Sequence, residues 1–271
     1  MIKDVKQIQL IVCDADNTLI ASGHTEMGEQ TKIALQKALE KGIKVLVNTG
    51  RHYTFVQKHF FETLPMEYIG TINGACLTNR SGKTIVKFPM SQDQMDRITN
   101  ACIKNGVGLG YKFESGVVTY ANHERFVDSY IQNGEDKDKL VYNNTDKKDY
   151  HLSRGLPLGI FLICDEKEME VIQAECDDLV FAYSYRGGYD VFLKDINKAT
   201  STEKVLELYG LTWDNVIAFG DAGNDTPMIE KAYIGVAMGN SKDDVKEKAD
   251  IVADTCLNDG VGKTLEELGI I

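Results

Sequence analysis

Leu10-Ile11-Val12-Cys13-Asp14-Ala15-Asp16-Asn17-Thr18 sets an apolar run directly against two carboxylates, an amide and a hydroxyl. A short apolar run bounded by polar turn residues reads as a buried strand, here Gln7 to Cys13. The arrangement recurs. Lys44 to Val47 runs into Asn48-Thr49-Gly50-Arg51, and Val216 to Phe219 runs into Gly220-Asp221-Ala222-Gly223-Asn224-Asp225. A further polar stretch, Asn197-Lys198, follows the strand-like Val191-Phe192-Leu193. In an open parallel sheet the carboxyl ends of the strands share one rim, so residues distant in sequence can converge there.

The segments between these strands support such a sheet. Glu29 to Lys41 has helical periodicity and stops at Gly42, and a second helix is expected over Tyr53 to Leu64, ending at Pro65. Tyr68 to Ile72 reads as a third strand, leading into Asn73-Gly74-Ala75. Strand, helix, strand, helix, strand is the order of right-handed parallel crossovers. The last third resumes it, with helices at Thr200 to Tyr209, from Thr226 and at Val261 to Leu268, and strands at Val216 to Phe219, Tyr233 to Val236 and Ile251-Val252. The fold class is therefore α/β, a Rossmann-like, doubly wound and mostly parallel core.

The middle has a different texture. Short strands (Thr84 to Lys87, Val117 to Tyr120, Leu158 to Ile163, Val180 to Ser184) alternate with helical patterns at Asp93 to Lys104 and Lys167 to Asp177. Glu135 to Tyr150 is rich in Lys, Asn and Asp and reads as an exposed loop. The expected organisation is an α/β core from residues 1–82 and 189–271, with an inserted α+β unit over 83–188.

The bulk numbers restrict the function. With 271 residues, 43% hydrophobic and 26% charged, the chain is an ordinary globular protein. A net charge of -11 argues against a general nucleic-acid or anionic-membrane binder. The first apolar run is too short to span a bilayer, and no signal peptide is recognised, so a cytoplasmic location is expected. Cys13, Cys76, Cys102, Cys164, Cys176 and Cys256 are scattered without a C-x-x-C pair and read as reduced core thiols. A monomer or small homo-oligomer is expected.

The polar stretches carry the chemistry. Asp14 and Asp16 lie two apart past a strand, on one face, where like charges call for a cation. Phosphoryl transfer would employ both: one attacks phosphorus, and the other protonates the leaving oxygen and then activates water. A solvated strand-end turn is the plainer alternative. Thr49 offers a hydroxyl to a phosphate oxygen, and Gly50 admits close approach of backbone N–H groups. Arg51 is either a phosphate ligand or surface charge. Lys198 would supply the cation that the transferring group needs, with Lys194 and Lys204 as nearby competitors. Asp221, Asn224 and Asp225, packed among glycines, suit Mg²⁺, which takes oxygen ligands from one or two carboxylates, water and substrate phosphate. Asp225 would also serve as helix N-cap before Pro227.

Together, D-A-D-N-T, N-T-G-R, I-N-K and G-D-A-G-N-D-T-P-M resemble the haloacid dehalogenase-like (HAD) hydrolase superfamily, particularly its Cof-type sugar-phosphatase branch. The resemblance covers nearly the whole chain. It implies that Asp14 is the nucleophile and Asp16 the general acid/base, with the Asp16 backbone carbonyl a metal ligand. It further implies that Thr49 and Lys198 hold the transferring phosphoryl group and that Asp221 binds Mg²⁺. Asn224 would touch phosphate, Asp225 would support the metal site, and Asn73 would line the site or act as a turn residue. The insert would be the branch's large α+β cap, reading the substrate through candidates such as Tyr111, Lys112, Arg186 and Tyr189. Asn17 stands where the family usually has glycine; Asn tolerates left-handed backbone, so the turn is expected to survive.

Three other features are set aside. Gly260-Val261-Gly262-Lys263-Thr264 looks like the tail of a P-loop but has Leu257 where the pattern needs glycine. Asn143-Asn144-Thr145 and Asn224-Asp225-Thr226 match glycosylation sequons, which are without meaning if no secretory signal is present. His24, His52, His59, His123 and His151 share no metal-ligand spacing. The expected function is a Mg²⁺-dependent phosphatase acting on a small phosphorylated metabolite, a sugar phosphate by the resemblance, through an aspartyl-phosphate intermediate. A phosphomutase and a non-catalytic phospho-ligand sensor are the alternatives.

Overall fold

Fourteen strands form two separate sheets in a computed structural model that describes residues 4–56, 62–131, 140–184 and 186–271. The chain divides into two units: Met1–Thr49, Val56–Val86 and Lys198–Ile271 make the first, and Gly50–Phe55 with Lys87–Asn197 the second.

The first unit carries the eight-stranded sheet. Its strands are β1 (Leu10–Asp14), β2 (Lys44–Asn48), β3 (Tyr68–Thr71), β4 (Cys76–Asn79) and β5 (Thr84–Lys87), then β12 (Val216–Gly220), β13 (Ile234–Ala237) and β14 (Ile251–Val252). Their order is β14-β13-β12-β1-β2-β3-β4-β5. The run from β14 to β3 is parallel, and β4 returns antiparallel to β3. The chain winds outward from β1 through β2 to β3, then restarts on the other side of β1 with β12. Strand order thus reverses at β1, the place where open α/β sheets bind ligands. One sheet face is sealed by Leu10, Val12, Leu46, Val216 and Ala218 packed against Ala199, Val205, Leu206 and Met228. The α/β core expected from the apolar runs is the fold observed.

The second unit holds β6 (Gly108–Phe113), β7 (Gly116–Ala121), β8 (Val141–Asn143), β9 (Gly159–Ile163), β10 (Leu179–Tyr183) and β11 (Gly188–Leu193), ordered β10-β11-β9-β6-β7-β8. All its pairings are antiparallel except β7 with β8. Helices Gln92–Asn105 and Glu166–Glu175 each begin with a capping box, Ser91 with Gln94 and Asp165 with Glu168.

Several expectations need correction. Thr84–Lys87 joins the first sheet, not the insert, and the boundary at 188/189 falls inside β11. Val141–Asn143 is a strand inside the expected loop Glu135 to Tyr150, and residues 135–139 of that loop lie outside the described residues. Of the helix expected at Tyr53 to Leu64, Tyr53–Phe55 is a 3-10 turn; residues 57–61, His59 among them, lie outside the described residues. Strand β6 gave no signal because two glycines interrupt it. Gly110 is needed there: a Cβ would come within 2.2 Å of the Phe126 ring. Tyr111 cannot read a substrate. It is fully buried, with its hydroxyl 2.6 Å from Thr99 Oγ1 and 2.8 Å from the Met95 carbonyl. Tyr189 also packs in this core, and Lys112 is buried and paired with Asp190.

The short segment Gly50–Phe55 is tied to the second unit by side chains. Lys112 Nζ donates to the Gly50 carbonyl at 2.7 Å, and His52 Nε2 lies 2.7 Å from the Phe113 carbonyl. Because a carbonyl only accepts, Nε2 carries the proton, and Nδ1 accepts from Thr54 N at 3.2 Å. The neutral ring therefore has both nitrogens satisfied. Burial, reinforced by the nearby Lys112 charge and opposed by the carbonyl bonds, lowers its pKa to about 4. An unfolded histidine titrates near 6.5, so at lower pH the unfolded chain takes a proton that the folded one refuses. His52 thus contributes stability that is fully present above about pH 6.5 and is lost as pH falls through the folded value. The loss is roughly 3–4 kcal/mol when the shift is converted at about 1.4 kcal/mol per unit. His52→Gln should flatten the pH dependence of the unfolding free energy over this window. Equal slopes in wild type and variant would refute the account.

Candidate active site

The carboxyl ends of β1 and β12 deliver the acids, and a helix start delivers the cation. Asp14 closes β1 and is nearly buried; Asp221 follows β12, and Asp225 is completely buried at the start of helix Thr226–Lys231. Lys198 is the first residue of helix Lys198–Tyr209 and is 1% exposed. Its ammonium lies 2.6 Å from Asp14 Oδ1 and 2.5 Å from Asp225 Oδ1. Among the described residues, Lys194 and Lys204 show no such pairing with the site; Lys204 bonds Glu207 on its own helix. One oxygen from each of Asp14, Asp221 and Asp225 lies within 4.8 Å of the others.

Local structure explains why these groups hold still. The turn after Asp14 runs through Asn17 at φ 58, the left-handed conformation expected for this Asn in place of glycine. Asn17 N donates to the Ile20 carbonyl at 2.7 Å, and Asn240 Nδ2 donates to the Asn17 carbonyl at 3.0 Å. Thr18, not among the residues singled out from sequence, donates its hydroxyl to Asp221 Oδ1 at 3.2 Å. Asp225 occupies the N-cap position but does not cap its helix with its side chain. Its Oδ2 instead accepts from Asp221 N and Ala222 N, both at 3.0 Å, so it clasps the loop that carries Asp221.

Thr49 follows Asn48, the register partner of Asp14 on β2, and is fully buried. Its N donates to the Gly70 carbonyl at 2.9 Å, and its carbonyl accepts from Asn73 N at 3.1 Å. Asn73, at φ 51, accepts from Asn224 Nδ2 at 2.9 Å and so joins the two loops. Asp16 is half-buried and is not part of the three-carboxylate group. Gly50 and Arg51 belong to the second unit, where the Gly50 carbonyl takes the Lys112 bond and Arg51 Nη1 donates to the Phe55 carbonyl at 3.3 Å. The P-loop look-alike is a helix start: Gly260 opens helix Gly260–Glu267, and Lys263 bonds Asp254 at 2.7 Å.

The electrostatics are unbalanced. Burial alone would lower the pKa of Lys198, but Asp14 and Asp225 outweigh it and raise it, so the ammonium stays charged. Burial also pushes Asp14 well above the ordinary carboxylate range, with Asp225, Asp221 and Asp16 adding to the push and Lys198 opposing it. Burial and Asp225 take Asp221 up to about 7, although Lys198 and the Thr18 hydroxyl oppose them. An ordinary ion pair would depress its acid. Here burial is the largest influence on both acids, and the neighbouring carboxylates add to it against the single Lys198 ammonium. A hard divalent cation, which prefers carboxylate oxygens, fits this donor set.

A chain with this sheet order and this convergence of acids and lysine has recognisable relatives. The sequence profile of the haloacid dehalogenase-like hydrolase family matches residues 11–265. The chain belongs to that family, as a phosphatase of its Cof-type branch. It is 28% identical over 261 residues to the 5-amino-6-(5-phospho-D-ribitylamino)uracil phosphatase YcsE of Bacillus subtilis, covering 95% of this chain and 94% of that protein. Its fold superposes on the phosphatase BT1666 from Bacteroides thetaiotaomicron with a TM-score of 0.83 at 24% identity, covering 100% and 99% of the two chains. The HAD subclass IIB sugar phosphatase BT4131 gives a TM-score of 0.84 at 24% identity, covering 97% and 100%. No helix among the described residues is long and apolar enough to cross a membrane.

Proposed function

We propose that this chain hydrolyses the phosphomonoester of a small metabolite, a sugar phosphate or sugar-like phosphate, through a phosphoryl group carried transiently on Asp14. The observation that carries the reading is the buried Lys198 ammonium bonded to Asp14 beside Asp221 and Asp225. In this reading Asp14 attacks phosphorus with a carboxylate oxygen. The bond to the leaving oxygen breaks, and Asp16 supplies that oxygen's proton. Asp16 then takes a proton from water, whose oxygen attacks the phosphorus, releasing phosphate and regenerating the Asp14 carboxylate. Lys198 and the Thr49 hydroxyl grip the equatorial oxygens, where charge accumulates. Asn224 and Asn73 hold the loops that face them.

Asp14 and Asp221, with Asp225 behind them and the Asp16 carbonyl as a further donor, would hold Mg²⁺. The ion would offset the charge of the carboxylates and of the transferring group. Asp14 must be ionised to attack, and burial, with its acidic neighbours, pushes it toward neutrality, so activity should require the divalent ion. The relatives are named for a ribitylamino-uracil phosphate and for sugar phosphates, which supports a small polyol- or sugar-bearing phosphate here. The second unit is assigned to reading the leaving group. The six buried thiols suit a reducing compartment, and we assign the chain to the cytoplasm.

A panel of sugar phosphates, nucleotides and cofactor precursors, assayed for released phosphate with and without Mg²⁺, tests this directly. Release that needs Mg²⁺, vanishes with EDTA and needs no bisphosphate activator is the expected result. Transfer to a second sugar position would instead identify a mutase. Binding without any release would leave the sensor and remove the enzyme.

A further inference from the structure

At the end of β2, next to Thr49, stands a carboxamide with none of its surface exposed: Asn48. Burying such a group is costly unless every donor and acceptor is met. Asn48 Nδ2 donates to the Lys198 carbonyl at 3.0 Å and to Thr202 Oγ1 at 2.8 Å, and Asn48 Oδ1 accepts from Ser201 Oγ at 2.6 Å. Ser201 and Thr202, both fully buried, also reach the Lys198 carbonyl at 3.1 and 3.0 Å. Space for the carboxamide is reserved on β3, where a Cβ on Gly70 would lie 1.6 Å from Asn48 Oδ1.

We propose that Asn48 is a positioning residue that fixes the Lys198 ammonium relative to the Thr49 hydroxyl; this rests on the phosphoryl-transfer reading above. The geometry gives the reason. The Lys198 carbonyl carbon is bonded to the Cα from which its side chain extends to Asp14 and Asp225. Asn48 Nδ2 and the Thr202 hydroxyl both donate to that carbonyl, while the Ser201 hydroxyl gives its one hydrogen to Asn48 Oδ1 at the shorter distance; the Asn48 bond comes from the strand, not from the helix itself. The same residue is the register partner of Asp14 and is bonded through its peptide to Thr49. Nucleophile strand, phosphate hydroxyl and helix-borne cation are thereby set by one buried amide. Without it, the Lys198 carbonyl would keep the hydroxyl bond of its own helix and lose its hydrogen bond from the sheet. Buried polar networks of this kind contribute specificity of arrangement more than net stability.

The test uses Asn48→Ala in the full chain, with p-nitrophenyl phosphate turnover and vanadate affinity measured by calorimetry in Mg²⁺. Misplacing a catalytic group by about 1 Å costs up to roughly 10²-fold, so kcat should fall about 10- to 100-fold. KM should stay within about threefold, and vanadate, which mimics the pentacoordinate phosphoryl group, should bind about tenfold more weakly. Thr202→Val keeps the volume and removes one partner, and should show the same split with a smaller loss. Should Asn48→Ala fail to fold, Thr202→Val combined with Ser201→Ala carries the test. A folded Asn48→Ala enzyme with a lowered melting temperature but wild-type kcat and vanadate affinity would show a merely structural residue and overturn the proposal. Unchanged kcat and vanadate affinity in the double variant would do the same. A wild-type protein that neither turns over nor binds vanadate would instead remove the phosphatase reading itself.

Discussion

Asp14→Asn should lose turnover by on the order of 10⁴-fold or more while folding normally, because an amide of the same shape is a poor nucleophile. The crowding of acids makes a second outcome testable. Burial and three neighbouring carboxylates push Asp14 up, so the variant relieves repulsion when no divalent ion is present. Its melting temperature in EDTA should equal or exceed that of wild type. The stabilisation conferred by Mg²⁺ should shrink, since the folded state would bind the ion less tightly. Near-normal rates in Asp14→Asn would remove the nucleophile assignment. A preserved Mg²⁺-dependent rise in melting temperature would remove Asp14 from the metal site.

Lys198→Met should be the most destabilising single change at the site. The lysine is 1% exposed and touches two carboxylates that are themselves buried. Removing one partner of a buried ion pair leaves uncompensated charge and costs about 3–5 kcal/mol. The loss of a cation at the transferring group should lower kcat by about 10²- to 10³-fold as well. The two effects can be separated. Asp225→Asn keeps an oxygen for the Asp221 and Ala222 N–H groups while discarding the charge that Lys198 offsets. The Lys198→Met, Asp225→Asn double variant should therefore recover much of the stability and little of the activity. If urea denaturation finds Lys198→Met as stable as wild type, the ammonium is not what holds the buried carboxylates together.

Part of this candidate site was readable because three of its polar stretches directly follow apolar runs, and such runs become neighbouring strands. Asp14, Thr49 and Asp221 were placed that way. The turn at Asn17 was legible from the tolerance of Asn for left-handed backbone, and it adopts φ 58. What escaped was whatever depends on neighbours distant in sequence. Nothing local reveals that Thr18 reaches Asp221 or that Asp225 clasps the loop before it instead of capping its helix. Asn48 looked like the lead-in to a motif. Its only trace was an amide closing an otherwise apolar strand, with Ser201 and Thr202 three and four residues beyond the lysine. The boundary at 188/189 cut into β11, whose pairing with β9 and β10 depends on strands distant in sequence. Strand β6 was hidden by the glycines that its packing demands.

The second unit is discontinuous: six residues, Gly50–Phe55, reach it from a distant part of the chain and supply the Gly50 carbonyl to Lys112 and the His52 ring to Phe113. A chimera that transplants residues 87–197 alone would carry a buried lysine stripped of that oxygen and a strand carbonyl missing its imidazole. The portable module is the longer span plus this hexapeptide. Engineered exchanges of specificity between relatives should therefore graft both pieces together, and those that graft only the larger one should yield poorly folded protein.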